Sequence, residues 1–223
     1  MKILKITIAV GALAANYAFA SIVDNGLNGN IQTDSWGMLG GLYGTSSSTW
    51  TNNISAQTSA DTNASLSKTS GGHYSATMGL YSWGGDSVLR ITSGNPLNNA
   101  NSVVFNIRTN STHDSIANLH IGSNNYAPSA SNSVIGESYE SSFGTLTPTF
   151  TSYQWDLNGL GVNQTSDIVD LYVEFTAANH LSITGLQLDQ SDVYNVASTV
   201  VPVPAAAWLF GSALLGLTVI KRK

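Results

Sequence analysis

Ile168-Val169-Asp170-Leu171-Tyr172-Val173-Glu174-Phe175 puts Val169, Leu171, Val173 and Phe175 on one side and Asp170, Tyr172 and Glu174 on the other. That two-residue period is the mark of a half-buried strand. The same pattern recurs outward along the chain. Over Phe150–Leu157, Tyr153, Trp155 and Leu157 point inward, with Ser152, Gln154 and Asp156 outward. Val103, Phe105 and Ile107 alternate with Val104, Asn106 and Arg108, and Ala117, Leu119 and Ile121 with Asn118 and His120. Shorter strands are expected at Trp50–Ala56, Tyr74–Leu80 and Ser87–Ile91. Turns are expected at Gly85-Asp86 and Asn158-Gly159. Leu181 and Ile183 have one parity and Leu186 and Leu188 the other, so a bulge at Thr184-Gly185 is expected to restore the register. Residues 122–147 lack apolar patterning and read as a long, partly structured excursion. Helix-period patterning is absent from the body, and the fold class is all-β, one β-sandwich.

The ends of the chain read differently. Lys2 and Lys5 precede an apolar run from Ile6 to Ala15, and Ala18-Phe19-Ala20 is a small-x-small cleavage pattern before Ser21. Residues 1–20 are therefore expected to be a signal peptide, handled by the Sec translocon and signal peptidase. At the other end Val201-Pro202-Val203-Pro204 stiffens the backbone ahead of 16 uncharged residues, Ala205–Ile220, and a basic tail, Lys221-Arg222-Lys223. As a helix, 205–220 would reach about 24 Å, slightly short of the ~30 Å hydrocarbon core. The cations would keep the tail on the cytoplasmic side of the inner membrane. The expected organisation is a signal peptide (1–20), a β-sandwich (21–189), a linker (190–200) and a C-terminal signal (201–223).

Of eight Lys and Arg, only Lys68, Arg90 and Arg108 lie in the body, against all thirteen acids, a net charge of −10 for residues 21–200. Nucleic-acid binding is disfavoured, since phosphate neutralisation needs clustered cations. With no cysteine there is no disulfide, thiolate site or Cys nucleophile.

The C-terminal arrangement resembles the PEP-CTERM sorting signal of Gram-negative bacteria, recognised by exosortase. The residues that carry the resemblance are Val201-Pro202-Val203-Pro204, Ala205-Ala206-Ala207-Trp208-Leu209, Gly211-Ser212-Ala213-Leu214-Leu215-Gly216-Leu217 and the terminal Lys221, Arg222 and Lys223. Val203 stands where the family's name-giving glutamate would be. The resemblance implies cleavage near Val201–Ala205, transfer to a surface or extracellular carrier, and a context of extracellular polysaccharide and biofilm. An ordinary bitopic anchor is the alternative reading. The closing order of the body, an aromatic strand, an Asn-Gly turn, an alternating strand and Leu181-Ser182-Ile183-Thr184-Gly185-Leu186-Gln187-Leu188, resembles jelly-roll carbohydrate-binding modules. Thr184 and Gly185 stand where those modules often carry an acid and an amide.

No Gly-x-Ser-x-Gly elbow is present. Asp170 and Glu174 lie roughly 13 Å apart along a strand, beyond the separation that sugar cleavage needs. Glu137 and Glu140 fall in a Ser-rich loop. The four histidines (His73, His113, His120, His180) have no shared metal-ligand spacing, and only His113-Asp114 forms a pair. The Gly-rich run from Asp24 to Asn30 makes Asp24, Asn28 and Asn30 calcium candidates, while lacking the EF-hand pattern; no other cofactor is expected. Candidate glycan contacts are Trp36, Trp50, Trp83 and the outward Tyr172, with Tyr43 and Tyr81 beside glycines near strand ends. The expectation is a non-enzymatic exported surface or matrix protein. A glycan-binding module is the alternative, and a secreted glycan-active hydrolase a third class.

Overall fold

Leu171, Val173 and Phe175 are buried while Tyr172 and Glu174 are half-exposed, so the alternation that opens the argument becomes a strand with one face in the core. The structure is a computed structural model. It describes residues 25–37, 39, 53–59, 63–75, 79–113, 115–141, 144–162, 168 and 170–194. Among these residues every regular element is a strand: β1 (Ile31–Trp36), β2 (Ile54–Ser55), β3 (Thr58–Ser59), β4 (Ser65–Ser75), β5 (Leu80–Ser93), β6 (Ser102–Thr109), β7 (Ala117–Ile121), β8 (Asn124–Tyr126), β9 (Ala130–Ile135), β10 (Tyr139–Ser141), β11 (Gly144–Leu146), β12 (Thr149–Asp156), β13 (Leu171–Ala177) and β14 (Ser182–Ser191). The signal peptide, Trp50, Tyr43, Asp24, Asp114, Val169 and the sorting signal lie outside the described residues. No helix among the described residues is long and apolar enough to cross a membrane.

All pairings are antiparallel. The main sheet runs β8-β7-β13-β5-β14-β6-β12-β9, with β4 and β2 added beside β5 and β1 and β3 beside β14. β5 bridges its two halves. Ser87–Ser93 pair with β13, while Leu80 and Tyr81 pair with Ile183 and Ser182 of β14. The result is a curled antiparallel sheet, a half-barrel, consistent with a β-sandwich. Its inner side gathers Leu66, Leu89, Ile91, Leu119 and Val173 from one half. The other half supplies Trp36, Phe105, Ile107, Trp155, Leu186 and Leu188. Phe105 and Phe175 meet across the middle with ring centroids 5.0 Å apart. The two buried indoles keep their hydrogen bonds: Trp36 Nε1 donates to the Ile54 carbonyl (3.0 Å) and Trp155 Nε1 to that of Tyr126 (2.9 Å).

The bulge falls where the phase change predicts, between Ile183 and Gly185, and Leu181, Ile183, Leu186 and Leu188 are all buried. Arg108 fastens it. Its Nε donates to Thr184 Oγ1 (2.9 Å), and one terminal nitrogen donates to the carbonyls of Thr184 and Gly37 (3.1 Å each). Burial lowers the Arg108 pKa, partly offset by Tyr139.

Several expectations need correction. Residues 122–147 are more structured than expected: β8 and β9 there join the main sheet, and only β10 and β11 pair apart from it. Tyr74–Leu80 is not one strand, since it spans the end of β4 and the start of β5. Gly85-Asp86 is no reversal but the bulged interior of β5, which sets three residues against Gly72 of β4. Of Trp50–Ala56, strand is described only at Ile54-Ser55. β14 continues to Ser191, two residues into the expected linker, because Ser191 pairs with both Ile31 and Ser102. Ser152 and Gln154 are not solvated. With Val104, Asn106, Gln187 and Asp189 they form a buried, mostly polar outer layer on the β1–β14–β6–β12 half.

Phe105→Ala removes the ring that contacts both Phe175 and Tyr153 and should cost about 3–5 kcal/mol. The check is a lower urea midpoint at unchanged slope. Ile116→Ala, at a side chain 66% exposed, should shift stability by less than about 0.5 kcal/mol.

Candidate functional site

Tyr81 and Trp83, two residues apart on one side of β5, are 36% and 41% exposed. Beside them the β13–β14 connection is pinned to β5. The His180 amide donates to the Ser82 carbonyl and the Ser82 amide to the Leu181 carbonyl, both at 2.9 Å. Asn179 Oδ1 accepts from the Gly85 amide (3.1 Å), and Asp86 Oδ1 accepts from the Asn179 amide (2.9 Å). His180 is held at φ +67°, a left-handed conformation costly for a residue with a Cβ. That backbone brings its Nδ1 to 2.7 Å from the Tyr81 hydroxyl. Chemically, this surface can stack a flat apolar face and offer an imidazole and a phenol as hydrogen-bonding tips.

A second aromatic cluster lies on the outer side of β7, β13 and β5. The His120 ring stacks on Tyr172 at 4.5 Å and 7°, and the Arg90 guanidinium carbon lies 4.1 Å from the Tyr172 centroid. Because β7 and β5 flank β13 on opposite sides, the two groups cover opposite faces of the ring. A sugar therefore meets only the edge and hydroxyl of Tyr172. Arg90 is also bound to Glu174 (3.1 Å). Burial lowers the His120 pKa, with Glu174 raising it and Arg90 lowering it by smaller amounts.

The third group is buried. Asp189, on the outer polar layer, accepts from Thr33 Oγ1 (2.6 Å), Gln187 Nε2 (2.7 Å) and Asn25 Nδ2. Burial pushes its pKa up to about 6; the three donors pull it down, and the nearby Asp34 raises it. Close by, both side-chain polar atoms of Asn106, Oγ of Ser152 and Oδ1 of Asn25 are buried without a hydrogen-bond partner. Nothing in the polar–apolar pattern singled out Asp189, since Gln187-Leu188-Asp189 reads as an ordinary outward alternation.

Trp36 is a correction: it is fully buried in the core, where no glycan reaches it. Trp83 is accessible, Tyr172 is sandwiched, and Trp50 is outside the described residues. Of the calcium candidates, Asp24 lies outside the described residues and the other two have protein partners. Asn30 donates from its backbone and side-chain nitrogens to the two oxygens of Asp192 (2.8 and 2.5 Å), and the Asn28 carbonyl accepts from Ser191 Oγ. No group of three or more His, Asp or Glu among the described residues is arranged to hold a metal ion. His113 closes a turn, with Nδ1 accepting from the Ser115 amide (3.1 Å) and Nε2 facing Thr151 Oγ1 (3.3 Å). Glu140 accepts from Thr145 within the β10–β11 pair. No family model, curated protein or solved structure matches the chain.

Asp189 gives a signed pH dependence. Its raised folded pKa means that the folded protein holds the proton more tightly than the unfolded chain. Its contribution is complete below pH ~4 and is lost as pH rises to about 6, by at most roughly 3 kcal/mol. Asp189→Asn should remove that component, so wild-type stability minus variant stability should fall between pH 4 and 7. Urea melts across that range check it, and a flat difference would refute the assignment.

Proposed function

We propose that the chain is an exported, non-catalytic protein of the cell surface or extracellular matrix of a Gram-negative bacterium, sorted by exosortase and associated with extracellular polysaccharide. Its body, on this reading, is a jelly-roll-like sandwich. The observation that carries the proposal is the order of the last 23 residues: proline-stiffened pair, uncharged apolar span, three terminal cations. The body supports it through the placement of its ends. Asn30 is bonded to Asp192, and Ile31 pairs with Ser191. The chain therefore enters and leaves the domain side by side, an arrangement compatible with two apolar ends in one membrane before processing. The three body cations are also committed to the fold. Arg108 holds the bulge, Arg90 pairs with Glu174, and Lys68 Nζ donates to the carbonyls of Gly71 and Gly72 (3.0 and 2.7 Å). That leaves no cluster of Lys and Arg for a polyanion.

Intact-mass spectrometry of protein from its host, with and without exosortase, tests the proposal. The expected species begins at Ser21 and lacks the tail from about Ala205, with any carrier as added mass. A tail retained in both strains would leave an ordinary anchor.

Glycan binding is the second reading, and Tyr81 with Trp83 on one exposed side of β5 favours it. A polysaccharide pull-down should weaken roughly tenfold or more in Trp83→Ala if that ring is a platform, about what one buried aromatic contact supplies. Equal retention by wild type and variant would remove this reading.

A further inference from the structure

Among the described residues most free edges of this sheet are blunted. β8 has three residues and β2 and β3 two each. β4 is long, but it carries Lys68, two register shifts and Gly71-Gly72. Short edges, bulges and edge lysines are the usual protection against strand addition. β9 has none of them. Its six residues, Ala130-Ser131-Asn132-Ser133-Val134-Ile135, hold unbroken register with β12 from Ile135↔Thr149 to Ala130↔Gln154. They contain no charge and no proline, and among the described residues they pair with β12 alone. Every side chain but Val134 is exposed, with Ile135 at 62%.

The hydrogen-bond phase of this edge follows from its flanks. The Gly136 amide donates to the Pro148 carbonyl (2.8 Å) in the same register as the β9–β12 pairs. Even-numbered residues of β9 therefore exchange bonds with β12. On the far side of β12, the Leu157 amide donates to the Asn101 carbonyl (3.0 Å), which confirms that its odd residues face β6. In an antiparallel ladder the residues between bonded pairs aim their amides and carbonyls the other way. Ser131, Ser133 and Ile135 thus present theirs outward.

We propose that β9 is a homotypic pairing edge, on which a second copy of this chain adds its own β9 antiparallel about a two-fold axis at Ser133. Under that axis Ser133 meets Ser133, and Ser131 meets Ile135 in both directions, so all three outward-facing positions become bonded pairs. A two-fold contact is self-complementary and closes on itself. Charge selects the occupant. Two bodies each carrying −10 repel over most of their surface, but residues 115–136 contain no Asp, Glu, Lys or Arg, nor do 149–155 of the neighbouring strand. The edge is thus where like can meet like, and it offers nothing to steer a charged partner. The pairing belongs to the folded body and does not depend on whether the tail is processed.

The test uses the full chain in mild detergent, because its two apolar ends could associate by themselves. The chain has no cysteine, so Ser133→Cys introduces a single thiol on the proposed axis. Mild oxidation should give a covalent dimer, whereas Asn125→Cys on the exposed β8 edge should give no cross-link. Ser133→Pro removes an outward amide that the β9–β12 ladder does not use, and Ser133→Lys sets two cations face to face. Each should weaken dimerisation by analytical ultracentrifugation roughly tenfold or more with unchanged far-UV circular dichroism. Monomeric wild type, no cross-link at position 133, or dimers equally strong in both variants would overturn the proposal. A cross-link at position 133 to a different protein would overturn it too.

Discussion

One inserted residue, Thr184, lets β14 serve the whole core. Ahead of it Leu181 and Ile183 face inward, and behind it Leu186 and Leu188 do so with the opposite parity. Without the bulge, the same residues run as a continuous strand would turn one of these pairs outward and bring Gln187 and Asp189 into the apolar interior. Each buried leucine or isoleucine is worth about 1.5–3 kcal/mol, so the bulge decides several times the energy of any single surface contact. β14 is also where the halves of the curled sheet join, since it pairs with β1, β5 and β6. Arg108, reaching from β6 onto Thr184 and Gly37, fixes the phase there. The same phase sends Asp189 to the outer side, where the chain supplies three donors around a carboxyl that burial alone would make costly.

The few cations of the body are spent in this way throughout. Arg108 closes the bulge, Lys68 satisfies the carbonyls of the β4 glycines, and Arg90 is shared between Glu174 and the face of Tyr172. Apart from Lys68 on β4, a protein with so little positive charge has no lysine in its body to guard the strand edges. Its edges are managed by shortening and bulging instead, and the composition that makes the surface acidic also shapes the margins of the sheet.

How far the sequence reveals this depends on which forces act at each place. The strands around Val173, Phe105, Leu119 and Trp155 are legible because one face is apolar and the other is not. The bulge is legible because the parity of leucine and isoleucine changes across it. β8 and β9 are not, since strands exposed on both faces leave no alternation and read as Ser/Asn loop. β1 hides for the opposite reason: Gln32 and Asp34 are buried with Trp36, so polar residues stand where the pattern expects apolar ones. Trp36 looked like a surface ring beside Gly37 and is core, because its indole nitrogen finds the Ile54 carbonyl. The Tyr81–His180 contact joins residues 99 apart through a left-handed backbone, which no local pattern encodes.

The places where this molecule can be held are separated by its topology. Chain entry and exit lie together at β1 and β14, joined by the contacts of Asn30 with Asp192. From β14 the half-sheet continues through β6 and β12 to β9. At ~4.8 Å per strand, the open edge is about 14 Å from β14. On the proposed sorting, a membrane, or a carrier attached in its place, would approach from the β1–β14 side. A strand added to β9 extends the sheet away from it. The exposed rings of Tyr81 and Trp83 sit on β5, where Tyr81 pairs with Ser182 at the opposite end of β14 from Ser191. Chain ends, open edge and aromatic rings therefore occupy different parts of the sheet, with the Thr184 bulge between the first and the last.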